Sequence, residues 1–263
     1  MSKTIIANGI EVNYSLEGSA AKPVIMFSNS LLTNYHMWDW QIPAFADRYR
    51  ILRYDTRGHG NTQATSGIYT MDLLVTDVVA LLDKLGIDKV HFVGLSMGGM
   101  IAQLVAAKHG RRLLSVTLCD TACRMPPESI WDDRIALARA KGTMAFVRPM
   151  TERWLTKAYL ARNQPVVEQL GNMISRTSID GFIGCAHAIK NMDHLAVLAD
   201  VRVPTLVIVG EFDSGTPLSA AEVLHRKIKH SRLSIIKQAA HLPNIEQSDV
   251  FNDTLTTFLD SVN

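Results

Sequence analysis

The run His91-Phe-Val-Gly94-Leu-Ser96-Met-Gly98-Gly99-Met places G-x-S-x-G between an apolar stretch and a helical pattern over 98–109. A serine hydroxyl is a weak nucleophile until the backbone presents it and a neighbouring base takes its proton. A sharp strand-to-helix turn presents it, and such a turn needs glycines so that strand and helix can pack closely. The same turn puts the backbone N–H of Met97 at a helix start, where it can donate to an oxyanion. A glycine-rich helix entry can instead cradle a phosphate, but this spacing is neither a Walker loop nor G-x-G-x-x-G. Ser96 is the candidate nucleophile.

Such a serine needs an acid and then a histidine, in that chain order. Glu211-Phe-Asp213-Ser-Gly-Thr-Pro217 follows the apolar run TLVIVG, and Ala239-Ala240-His241-Leu-Pro243 follows LSIIKQ. Asp213 and His241 are the candidate acid and base. Among nine histidines, His59 in RGHG also follows a strand-like run, but it precedes the serine, which favours a structural turn. Asp120, after LLSVTLC, and Glu211 are alternative acids.

These residues must be carried by elements that bring them to one edge. The opening TIIANGIEVNYSL alternates around Asn8-Gly9, a hairpin signal. Six short apolar runs follow: VIMFS, RILRYD, VHFVGL, LLSVTLCD, TLVIVGE and LSIIKQ. Between them, Leu73, Leu74, Val78, Leu81, Leu82 and Leu85 fall at helical spacing, with Gly86 as the stop. Alternating strands and helices predict an α/β fold, a mainly parallel sheet covered on both faces. From Met125 to about Ala199 the pattern is helical and carries Trp131, Trp154, Met144, Met150, Met173 and several arginines. The expected organisation is a core of residues 1–124 and 200–263 with a helical cap, 125–199, over the sheet's carboxyl edge, where ligands of open α/β sheets sit.

Composition narrows the partners. Hydrophobic residues make up 47% and charged residues 20% of 263, and the net charge is +2 with no basic run. Nucleic acid and anionic membranes are therefore not expected partners, and a small-molecule substrate is. The N-terminus lacks a signal-peptide pattern and no stretch suits a membrane span, so a cytoplasmic location is expected. Cys119, Cys123 and Cys185 have no metal or disulfide-scaffold spacing, and reduced buried thiols are expected; no metal or cofactor is called for. Oligomeric state is not legible.

With these motifs in order, the chain resembles the α/β-hydrolases over its whole length. Within them, SNSL followed by HMWDWQIP, then RYDTRGHG, DTACRM with WDDRI, and AAHLPNIEQ resemble the 3-oxoadipate enol-lactonases of the β-ketoadipate pathway. It departs from them in reading SNSLLT where SNSLGT is expected, and Asp120-Thr121-Ala122 where Asn-Thr-Ala is. The resemblance implies opening of a small enol-lactone that carries a carboxylate, through an acyl-enzyme on Ser96. It also implies that the strand end Ser28-Asn29-Ser30-Leu31 supplies the second oxyanion donor, the backbone N–H of Leu31, beside that of Met97. A substrate carboxylate asks for a cation. Arg134, one helical turn after Trp131, and Arg124 are candidates, and Trp131 is a substrate-binding candidate beside Arg134; surface or cap-anchoring arginines and a core tryptophan are the plainer alternative. Trp154 and the cap methionines are expected mainly as core. A carboxylesterase, another lactonase or a perhydrolase would use the same machinery, and a hydrolase-fold ligand receptor would keep it while turning over slowly. An aspartate at position 96 would signify dehalogenase or epoxide-hydrolase chemistry; the serine excludes it.

Overall fold

Asn8 and Gly9 adopt φ +46° and +76° and close a tight hairpin between β1 (Lys3–Ala7) and β2 (Ile10–Glu17). Two consecutive positive φ values match the right-handed twist of the strands they join. The computed structural model describes residues 2–262. The remaining strands are β3 (Val24–Ser28), β4 (Arg50–Tyr54), β5 (Val90–Leu95), β6 (Leu113–Cys119), β7 (Thr205–Gly210) and β8 (Arg232–Ile236). They form one sheet in the order β1-β2-β4-β3-β5-β6-β7-β8, parallel from β4 onward. β3, β5 and β7 are buried at every position, as their unbroken apolar runs require when helices cover both faces.

The helices in chain order are α1 (Ile42–Phe45), α2 (Met71–Lys84), α3 (Met97–Lys108), α4 (Glu128–Lys141), α5 (Val147–Trp154) and α6 (Lys157–Arg162). α7 (Gln164–Arg176), α8 (Ile179–Lys190), α9 (Leu218–Lys227), α10 (Pro243–Glu246) and α11 (Ser248–Asp260) follow. α2 starts where the Thr70 side chain accepts the Leu73 N–H, and its C-terminal turn passes into Gly86 at φ +64°. Between β6 and β7 the described residues are helical or irregular, with no strand.

Two contacts fix this helical stretch over the sheet. Gly58 and Gly181 of α8 touch backbone to backbone; a Cβ at Gly181 would lie 2.4 Å from the Gly58 carbonyl oxygen. On the other side, Glu246 accepts hydrogen bonds from the N–H of Ala240 at 2.6 Å and from the N–H and hydroxyl of Thr156 at 2.8 and 2.7 Å. Glu246 thus joins the start of α6 to the loop before His241. No described helix is long and apolar enough to cross a membrane.

Candidate active site

β5 ends one residue before Ser96, which adopts φ +54° and ψ −113° before α3 begins. This is sparsely populated backbone for a residue with a Cβ and costs about 1–3 kcal/mol. Its neighbours are glycines because nothing larger fits. A Cβ at Gly94 would stand 2.2 Å from the Gly98 carbonyl oxygen, and one at Gly98 would stand 2.2 Å from that of Ser28. The turn is locked by Ser96 N–H donating to Cys119 O at 2.9 Å and by the Thr121 hydroxyl donating to Ser96 O at 2.8 Å. The hydroxyl is thereby held at the carboxyl edge of the sheet.

Asp213 follows β7, and its Oδ1 accepts the N–H groups of Gly215 and Thr216 at 2.7 and 3.1 Å. Its Oδ2 accepts the Thr216 hydroxyl at 2.6 Å and His241 Nδ1 at 2.8 Å. Burial alone would raise this carboxyl, but the His241 charge and hydrogen bond, with those from Thr216 and Gly215, hold it well below the usual carboxylate range. It is the ionised partner that fixes the imidazole. Gly210 at the end of β7 makes room for the His241 loop: a Cβ there would lie 1.9 Å from the Ala240 carbonyl oxygen.

The alternative acid, Asp120, stands directly behind this pair at φ +44° and is 0% exposed. Its Oδ1 accepts the Gly210 N–H at 2.8 Å. Burial first, then the negative charge of Asp213, push its carboxyl well above the usual range, so it is the neutral member of the two. Asp120, Asp213 and His241 bring three ligand-type atoms within 4.8 Å of one another. Asp213 already accepts four hydrogen bonds, and Asp120 is held neutral, so this donor set suits a proton-sharing cluster rather than a metal ion. Glu211 sits elsewhere, ion-paired with Lys237. His59 is 0% exposed, with Nδ1 donating to Arg57 O at 3.1 Å and burial holding its pKa down to about 4. It packs within the loop that anchors the cap, as a turn residue.

At the end of β3, Asn29 is wholly occupied with the backbone. Its amide nitrogen donates to Ser30 O and Thr33 O, and its Oδ1 accepts the N–H and hydroxyl of Thr56. It shapes the loop and cannot also reach a ligand. Leu31 and Leu32 line the pocket, and among the described turn and loop hydrogen bonds neither Leu31 N–H nor Met97 N–H is taken. Leu32, the departure noted in SNSLLT, adopts φ +66°, the left-handed region that favours glycine. Its side chain is 1% exposed.

Ser96, His241, Leu31 and Leu32 face one pocket whose opposite wall is helical. Trp131 and Arg134 line that wall, with the guanidinium 4.7 Å from the indole centroid. Trp131 is also tied to the cap, donating its Nε1–H to Met125 O at 3.0 Å. Two expectations change here. Arg124 is not in the pocket; it is exposed and paired through two nitrogens with Asp193. Trp154, Met125 and Met150 do line it, and the Trp154 ring stacks on His241 with centroids 6.4 Å apart. Arg153 lines it too, a residue that sequence reasoning passed over; its one signal was a cation beside a tryptophan near the end of a cap helix.

Comparison with known proteins sharpens this geometry. Residues 23–248 match the α/β-hydrolase fold family model. The chain is similar to "3-oxoadipate enol-lactonase 2" of Acinetobacter baylyi, 35% identical over 99% of this chain and 97% of that protein. It is also similar to the crystal structure of the enol-lactonase from Burkholderia xenovorans, with a TM-score of 0.96, 35% identity, and 98% and 100% of the two chains covered. A thermophilic esterase from Thermogutta terrifontis, solved with malate bound, aligns with a TM-score of 0.91 at 28% identity, over 100% of this chain and 99% of that one.

Proposed function

The chain belongs to the α/β-hydrolase family, and on that premise we propose that it is a serine hydrolase opening a small enol-lactone that carries a carboxylate, 3-oxoadipate enol-lactone to 3-oxoadipate. The observation that carries this reading is one pocket with Ser96 and His241 on one wall and Arg134, free of any acid partner among the described residues, on the other. The full-length similarity to enol-lactonases supports the same substrate class.

In this reading the Ser96 hydroxyl attacks the lactone carbonyl while His241 takes its proton. Asp213 keeps Nδ1 protonated and stabilises the imidazolium. The tetrahedral oxyanion lies between the N–H groups of Leu31 and Met97; removing one such donor typically costs about 10²–10³ in rate. The ring oxygen leaves as an enolate, takes a proton and tautomerises to the ketone. Water activated by His241 then releases the acyl group from Ser96. Arg134 holds the carboxylate arm, braced by Trp131, while Trp154 and the methionines exclude water from the ring.

The test is a panel of the enol-lactone, p-nitrophenyl acetate and simple γ-lactones, read with Arg134→Ala. The lactone is expected to have the highest kcat/KM, and Arg134→Ala to reduce it at least tenfold more than it reduces neutral-ester hydrolysis. A preference for the neutral ester removes the enol-lactonase reading, and equal losses in the variant remove the carboxylate role of Arg134.

A further inference from the structure

The pocket contains an unbalanced charge. Among the described residues no carboxylate lines it, whereas two arginines do, Arg134 from α4 and Arg153 from the last turn of α5. Three other buried or half-buried arginines have acid partners, Arg53 with Glu17 and Asp39, Arg57 with Asp77 and Arg112 with Asp83; half-buried Arg50 has none among the described residues. Neither Arg134 nor Arg153 has an ion pair or hydrogen bond among the described residues. Burial first, and the nearby charge of Arg153 second, push the Arg134 guanidinium down to about 10. The two cations therefore repel each other across a partly dehydrated space, and an anion of matching charge relieves that repulsion.

Their positions differ in a way that suggests which anion. Arg134 lies on the cap wall over Trp131. Arg153 lies at the other end, against the loop that carries Asp213. A Cβ at Gly215 would stand 3.2 Å from Asp213 Oδ1 and 3.3 Å from both Nε and Nη2 of Arg153, so the missing side chain at 215 gives the guanidinium its seat beside a carboxylate already occupied by four hydrogen bonds. The seat is next to Thr216, whose hydroxyl bonds Asp213 and lies 3.5 Å from His241 Nδ1. Arg153 and Thr216 line the same pocket as Ser96, where acyl release creates a carboxylate: water adds to the acyl carbon, the bond to Ser96 Oγ breaks, and the serine recovers its proton from His241. A monoanionic ring becomes an open dianion.

We propose that Arg153 is a second anion-binding residue that, with Arg134, makes the pocket selective for open-chain dicarboxylates over monocarboxylates of the same length. This deepens the functional reading above and rests on it for the orientation of the ligand, but not for lactone turnover. The pocket then holds its ring-opened product through both ends, and dicarboxylates of similar length act as competitive ligands.

The experiment uses Ser96→Ala protein, so that binding is read without turnover, and titrates adipate and hexanoate by calorimetry. Adipate is expected to bind at least tenfold more tightly than hexanoate. Adding Arg153→Gln should bring adipate to within about threefold of hexanoate and leave hexanoate little changed, which also reports that the pocket is intact. Gly215→Val, which fills the seat without removing the charge, should weaken adipate in the same direction. Equal binding of the two acids by the parent, or undiminished adipate preference in Arg153→Gln, overturns the proposal. Lactone turnover is measured separately on unmodified protein. An inactive enzyme with intact adipate selectivity removes the lactonase reading and leaves this one; an active enzyme without selectivity does the reverse.

Discussion

Replacing Asp213 with alanine should cost this enzyme much less than the loss of the orienting acid ordinarily costs, because a second carboxyl waits behind it. Where nothing substitutes, disabling the triad acid lowers kcat by about 10⁴. Here Asp120 lies within 4.8 Å of His241, whereas Asp213 is at 2.8 Å. With an effective dielectric of about 20, a full charge stabilises the imidazolium by about 6 kcal/mol at the shorter distance and about 3.5 kcal/mol at the longer. The difference, about 2.5 kcal/mol, is roughly a 10²-fold loss at a pH high enough to ionise Asp120. The tautomer survives as well, since the Thr216 hydroxyl remains 3.5 Å from Nδ1. Removing Asp213 also removes the negative charge that helps keep Asp120 neutral, although burial still opposes its ionisation. The variant should therefore gain activity as pH rises, with its acid limb displaced upward from that of the parent. The assay is kcat for p-nitrophenyl acetate across pH 6–9 in Asp213→Ala, Asp120→Ala and the double variant. Expected are losses of about 10², a small factor, and about 10⁴. Asp213→Ala and the double variant agreeing within threefold at every pH would falsify the idea that Asp120 can stand in.

Two further outcomes can be checked by unfolding. Asp120 has a folded pKa raised above its unfolded value near 3.8, so its contribution to stability is fully present below that value and is lost as pH rises through the folded pKa. Asp120→Asn, which cannot ionise, should thus be more stable than the parent near pH 8 and lose that advantage toward pH 4; urea midpoints give the comparison. Leu32→Gly relieves left-handed backbone worth about 1–2 kcal/mol but empties a buried leucine site worth about 2–5 kcal/mol, so it should destabilise by about 2 kcal/mol in urea unfolding. A stabilised Leu32→Gly would mean that strain outweighs packing in this loop.

The placement of the candidate residues at one edge was legible in the chain because the sheet constrains it tightly. Ser96 and Asp213 follow apolar runs that form fully buried strands, His241 follows the partly exposed edge strand β8, and strand ends of a parallel sheet share one edge. The glycines at 94, 98 and 210 mark close approaches that tolerate no Cβ, so their presence carried positional information. The choice between Asp213 and Asp120 was less legible: both follow strands, and what separates them is which one His241 reaches and which one burial keeps neutral. Leu32 hid its conformation altogether, because a leucine gives no hint of positive φ and the cost is offset by packing. The cap was harder still. Arg124 lies seven residues before Trp131, ahead of α4, and turns outward to Asp193, whereas Arg134 lies three residues after it on α4 and lines the pocket; residue type alone does not separate the two.

This difference follows from how the labour is divided between the two layers. The sheet edge supplies the candidate catalytic groups, and with them two buried carboxyls, one ionised beneath His241. The cap supplies both pocket cations. In the proposed reading a ligand carboxylate drawn to Arg134 on the cap wall leaves the ring carbonyl facing Ser96, while Arg153 stands on the side of the Asp213 loop. That polarity depends on Glu246 as much as on the arginines. Glu246 ties Thr156, just after Arg153-Trp154, to the Ala240 N–H beside His241, so the spacing between cation and base passes through its side chain. Glu246→Ala leaves two backbone N–H donors without their partner, a loss of about 2–4 kcal/mol in unfolding. It should also raise KM for the charged lactone more than for a neutral ester, because the neutral ester does not depend on where Arg153 stands. Equal KM changes on the two substrates would reduce Glu246 to a brace for the fold.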